Sequence, residues 1–278
     1  MDRGAWQFRP FPGAALGIMG CSSYPLITMA RLPRLALAGQ AHHIIQRGNN
    51  GCEIFVDDED RRHMLDLLRE MARRFDVDVH AYVLLPSHFQ LLLTPRTDQA
   101  LPQFMQSVGR SYVRWFNNRH GRSGTLWEGR YRCTVLEAQA WLLPAMVFID
   151  TSPVHEGLVP AAQGWPWSSY AHNAGLRNDA LVRPHAVFWA LGNTPFARDA
   201  EYARLAQMGL AGHQQEQIRH AAMRGWALGG PEFIANLQQQ TPRRVTRQRA
   251  GRPPGMVRNQ SIVAQETAHD GAVEHATD

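Results

Sequence analysis

The informative part of the chain begins near residue 42, where short apolar runs alternate with stripes of helical period. "HHIIQRG" (42–48) reads as a strand, and "GNNG" (48–51) carries turn chemistry. From about Asp58, the residues Met64, Leu67, Leu68, Met71 and Phe75 recur at helical spacing. Asp58, Glu59 and Asp60 fall in the first turn of that helix, where the backbone dipole favours acids. "VDVHAYVL" (77–84) and "HFQLLLT" (88–94) are strands separated by Pro86, close enough to form an antiparallel hairpin. A second helix is predicted over about 100–120, with Leu101, Phe104, Met105, Val108, Tyr112, Trp115 and Phe116 as its apolar stripe and Pro102 in its first turn. "GRYRCTVLE" (129–137) reads as loop into strand, and "AQAWLLPAMVFID" (138–150) as a helix despite Pro144.

This order predicts an α+β fold, a small and mostly antiparallel sheet with helices packed on it. Beyond about 153 the pattern holds no strand. "DAEYARLAQMGL" and "QEQIRHAAMRGWALGGPEFIANLQQQ" predict an α-helical C-terminal region. "IRHAAMRGWALGGPEFIANL" (218–237) reads as helix, glycine turn, helix, a shape shared by DNA-binding units and by ordinary helix pairs. The division expected is an unstructured upstream extension over 1–28, a main domain over 29–152, a helical region over 153–242 and a basic, Pro-rich, then polar disordered tail over 243–278.

Composition narrows the partners. All 29 basic residues are Arg, the net charge is +5, and the pI is about 9.5. A GC-rich coding sequence accounts for Arg over Lys, yet Arg also forks onto phosphates and stacks on bases, so nucleic acid is an admissible partner. Three cysteines in no metal-ligand spacing predict free thiols and a cytoplasmic protein. No apolar run is long enough to span a membrane.

The candidate chemistry sits in "HAYVLLPSHFQLLLTP" (80–95), where His88 and Gln90 share one face of a greasy strand. An imidazole nitrogen and an amide oxygen two apart could share one cation, or the two could simply hydrogen-bond within the fold.

"LLPSHFQLLLTP" resembles a segment of the REP-associated tyrosine transposases, relatives of the single-tyrosine HUH transposases. So do "MARLPR" (29–34), "HHIIQRGNN" (42–50), "FMQSVGRSYVRWFNNRHGRSGTLWEGRYR" (104–132), "PVHEGLV" (153–159) and "WPWSSY" (165–170). The resemblance implies an HUH-like fold. It also implies cutting and rejoining of single-stranded DNA beside hairpins, with a tyrosine that attacks the phosphate and two histidines that hold Mg2+ or Mn2+. Single-stranded or hairpin DNA is the implied partner; the related transposases work as dimers or as monomers, which leaves a homodimer open. On this pattern His88 takes the first metal position and Gln90 stands where the second His is expected, a departure that predicts weaker metal binding. A second departure is "FIDTSPVHEGLV" (148–159), where relatives read near "YIELNPVRAGLV"; His155 replaces an Arg there.

Two tyrosines are candidates for the nucleophile. Tyr112 falls on an apolar helical stripe and reads as a core ring. Tyr131 follows "TLWEGR" between Arg130 and Arg132, matches the family's W-x-x-x-Y spacing from Trp127, and is the expected catalytic residue. Arg47, Arg110, Arg114, Arg122, Trp127, Arg130 and Arg132 are the expected DNA contacts, since charge tracks phosphates and rings stack on bases. Arg119 belongs to the same basic span. Glu137 reads as a cap for the helix after it, with a metal-proximal carboxylate as the alternative. His42 and His43 lack a partner in the sequence, and His80 reads as a core or surface His. The rival functions are a non-catalytic DNA-binding derivative and a metal-dependent phosphoesterase without a tyrosyl intermediate.

Overall fold

The computed structural model describes residues 34–246. The upstream extension expected over 1–28, and the part of the expected tail after 246, lie outside the described residues. β1 (Ala41–Arg47) ends in a single turn over Asn49–Gly51, with Asn50 and Gly51 at positive φ as the "GNNG" chemistry requires. α1 (Asp58–Arg74) starts at Asp57, which accepts from the amides of Glu59 and Asp60, while Asp60 bonds back to the Asp57 amide. β2 (Val77–Leu85) and β3 (His88–Pro95) form the expected antiparallel hairpin. α2 (Ala100–Arg119), β4 (Arg132–Leu136) and α3 (Ala138–Asp150) follow.

The sheet order is β2-β3-β1-β4, and every named pair is antiparallel. Helices cover both faces, which is why β2 and β3 read as nearly continuous apolar runs. On one face Ile44, Tyr82, Leu84, Phe89 and Leu91 pack with α1 and α2. On the other Ala81, Val83, Leu85 and Leu92 pack with Leu142, Met146 and Ile149 of α3.

The helical region continues as α4 (Ser152–His155), α5 (Tyr170–Asn173), α6 (Ala186–Trp189), α7 (Pro195–Met208), α8 (Gly212–Arg224) and α9 (Pro231–Gln239). It shares the second core: Val187, Phe188, Tyr202 and Ile218 pack with α3. Asp150, fully buried, accepts hydrogen bonds from Ser169 (2.5 Å), Tyr202 (2.6 Å) and Asn173 (3.1 Å), joining α3 to α5 and α7. Burial raises its pKa to about 6, against those three bonds. The glycine turn after α8 is real: Gly225 adopts the left-handed C-cap conformation. One expectation needs correcting. The start of the expected tail is packed, with Val245 1% exposed and its carbonyl accepting from the Ala227 amide.

Candidate functional site

His88 opens β3 opposite Arg47 of β1 and faces α3 and α4. Its Nε2 lies 3.5 Å from Glu156 Oε1 and 3.5 Å from Gln90 Nε2. Gln90 is 4% exposed. Its oxygen accepts from His43 Nε2 at 2.9 Å, and its NH2 donates to Ser152 Oγ at 3.2 Å. Ser152 in turn donates to the Phe148 carbonyl at 2.8 Å. The Phe148 ring stands edge-on to His43, with centroids 6.1 Å apart. Burial lowers the pKa of both His43 and His88 to about 4; Arg47 and His43 add to the effect at His88. Both imidazoles are therefore neutral at pH 7.

This corner brings together His88 and Gln90, as strand parity requires. Its donors do not fit Mg2+ or Mn2+. The carboxamide turns its NH2, not its oxygen, toward His88. Among the described residues no group of three His, Cys, Asp or Glu side chains is placed to hold a metal ion.

Tyr131 lies elsewhere. It helps line a groove of about 660 Å3 beside α2, together with Phe89, Gln46, Trp127 and Arg34. Phe89 points into that groove. His88 and Gln90 flank Phe89 on the same strand, so they point to the opposite face. The structure thus does not bring Tyr131 to His88 and Gln90, and the expected common centre is corrected: the sheet stands between them. Burial raises the pKa of Tyr131 to about 12, outweighing the favourable charges of Arg34 and Arg130. Arg132, named above as an expected DNA contact, donates to the Met223 carbonyl in the last turn of α8. Arg34 takes the flanking role, its guanidinium 3.8 Å from the Tyr131 ring centroid and its Nε bonded to the Tyr131 carbonyl.

The expected DNA contacts sort by place. Arg110 and Arg114, one turn apart on α2, and Arg130 rim the groove with Arg34. Trp127 forms part of its wall, held by a bond from its indole N–H to the Gly109 carbonyl and stacked on Tyr112. Arg122 sits near the Phe116 ring beyond the end of α2. Arg47 belongs to the His88 corner. Arg119 is bound to Asp57, Glu59 and Asp60 at the start of α1. Tyr112 is the core ring expected, its hydroxyl bonded to the Ile54 carbonyl. Glu137 does not cap α3 with its side chain; it accepts from the Gly230 amide at the start of α9. His80 is buried, bonded to the Arg183 carbonyl and to Thr94.

Sequence reasoning missed His43, Ser152, Phe148 and Arg34. The first had a signal, since an antiparallel β1–β3 pairing in which His43 faces Leu92 puts His43 diagonal to Gln90. The others depend on where α3 and the segment before β1 pack.

Residues 38–142 match the family described as "Transposase IS200 like". No curated protein matches the chain. Among solved structures, a REP-associated tyrosine transposase bound to a REP hairpin is similar, with 18% identity, a TM-score of 0.44, 57% of this chain covered and 93% of that one. A putative transposase from Deinococcus radiodurans is similar at 21% identity and a TM-score of 0.30, over 38% of this chain and 85% of that one. The matched span holds the sheet, α1 and α2, with most of the groove lining and the His43, His88 and Gln90 side of the buried corner, and its likeness is to the IS200-like transposase family.

Proposed function

We propose that this chain binds single-stranded or hairpin-flanked DNA through the groove beside α2, and that it does so without cutting at Tyr131. One observation carries the reading. The groove is rimmed by Arg34, Arg110, Arg114 and Arg130, walled by Trp127, Tyr131 and Phe89, and among the described residues has no Asp or Glu in its lining. Guanidiniums at a rim neutralise phosphates, and rings in a wall offer faces for unstacked bases. The family match of residues 38–142 supports DNA as the partner. The strand-cutting reading needs the phenol of Tyr131 beside His88 and Gln90, and those side chains lie on the other face of the sheet. A phenol held near pKa 12 is also a poor nucleophile at neutral pH.

The test incubates the full chain with fluorescent hairpin DNA bearing a single-stranded tail, with Mn2+ and with EDTA. Binding is followed by anisotropy, and covalent products by a denaturing gel. Binding without adducts is expected. Adducts that disappear in Tyr131→Phe would overturn the non-cutting part, and absence of binding at low salt would overturn the rest.

A further inference from the structure

The His88 corner has its own logic, independent of DNA binding. Ser152 gives its only hydroxyl proton to the Phe148 carbonyl, so toward Gln90 it can only accept. The Gln90 atom facing Ser152 must therefore be the amide nitrogen. That fixes the carboxamide: its oxygen faces His43 Nε2, which must carry the proton. His43 Nδ1 is then a bare acceptor, and it is buried with no hydrogen-bond partner. The second amide proton of Gln90 is left on the side of His88 Nε2.

Every polar atom of Gln90 is thus assigned by its neighbours. Turning the carboxamide over would set its oxygen against the Ser152 lone pairs. It would also force the His43 proton onto Nδ1, where no acceptor waits. Such a flip strands buried polar groups, which is costly in a nearly dry site. A cation beside His88 would meet an N–H proton where it needs an oxygen. Phe148 closes the same corner with a ring that carries no hydroxyl, at the position where the relatives' segment begins with Tyr.

We propose that His43, Gln90 and Ser152 form a hydrogen-bonded clamp that fastens α3 and α4 to β1 and β3 in the place where a two-histidine relative would hold a divalent ion. Gln90 is a structural tie here, and the chain handles DNA independently of Mg2+ and Mn2+. The chain runs from sheet to helix: His43 on β1, Gln90 on β3, Ser152 at the start of α4, and the Phe148 carbonyl on α3.

The experiment uses the full chain and two readouts. The first titrates Mn2+ alone and follows the free-ion electron paramagnetic resonance signal. The wild type is expected to leave that signal unchanged up to about 1 mM Mn2+, a weak-binding bound; stoichiometric binding that His88→Ala abolishes would overturn the proposal. The second measures thermal unfolding in EDTA. Gln90→Met keeps the volume and removes the hydrogen bonds, and is expected to lower the midpoint by about 4 °C. An unchanged midpoint in EDTA would also overturn the clamp, because a metal ligand has no duty in the absence of metal. Failure of DNA binding in anisotropy, with both of these results as expected, would remove the groove reading and leave the clamp standing.

Discussion

In the groove beside α2, polar chemistry lies at the rim. Arg110 and Arg114 are exposed, and the wall beneath them is aromatic and aliphatic. On the α3 side polar chemistry lies inside. His43, Gln90, Asp150, Ser152 and Ser169 are all buried, and Gln90, Asp150, Ser152 and Ser169 spend their hydrogen bonds on other buried side chains or on backbone. The contrast separates two uses of polar residues. Exposed guanidiniums keep their charge available for an anionic partner. Buried, mutually satisfied groups contribute fit between elements, and removing one strands the rest.

Acid should test this contrast most strongly. His42, His43, His80 and His88 are held near pKa 4 by burial. Their folded pKa lies below the unfolded value of about 6.5, so their contribution is present above that pH and is lost as pH falls toward 4. Asp150 runs the other way. With its pKa raised to about 6, its contribution is complete below about 4 and is lost as pH rises through 6. Near pH 5 the histidines therefore outweigh it, and unfolding takes up about three protons, a loss of about 4 kcal/mol per pH unit. Urea unfolding between pH 7 and 4.5 measures the slope. A flat profile would mean the imidazoles are not held neutral.

Asp150→Ala comes next, with a loss of about 3 kcal/mol, since the donors on Ser169, Asn173 and Tyr202 lose their acceptor together. Hydrogen exchange should then show α3 and α7 opening ahead of α1 and α2. Equal loss of protection on both faces would show that the two cores do not respond separately.

On the groove side, Arg110→Ala with Arg114→Ala should weaken single-stranded DNA about 10- to 100-fold and flatten the salt dependence by about 1.4 in log–log slope. Unfolding should be nearly unaffected, because both side chains are exposed. A change of less than about threefold in affinity would move the DNA surface elsewhere. The smallest effect is expected from Tyr131→Phe. The ring stays under Arg34, so affinity should shift by less than about threefold. A much larger loss would give the hydroxyl a direct role in binding.

Much of this molecule is readable before folding. The apolar runs and the period-3.6 stripes place β1 to β4 and α1 to α3 within a residue or two, because burial on both faces makes β2 and β3 almost continuously apolar while one buried face per helix dictates the spacing of its apolar side chains. Strand alternation also correctly pairs His88 with Gln90 and sets Phe89 and Leu91 against the other core. The same rule, carried across the β1–β4 register, would have separated Tyr131 from them. Gln46 follows Ile45 on β1, and Ile45 pairs with Arg132. That inference needs the strand order, which no local pattern contains.

Residue types and their periods are local properties, and the amino-acid order alone supplied the elements, the Arg-rich character and the family resemblance over residues 29 to about 170. Which side chains meet depends on sheet order and on where helices far along the chain come to rest. Ser152 is 62 residues from the Gln90 it binds, and Tyr202 is 52 from the Asp150 it serves. Contacts at such separations are set when hydrophobic faces are buried together, and only then do a tied carboxamide and an open arginine groove become distinguishable.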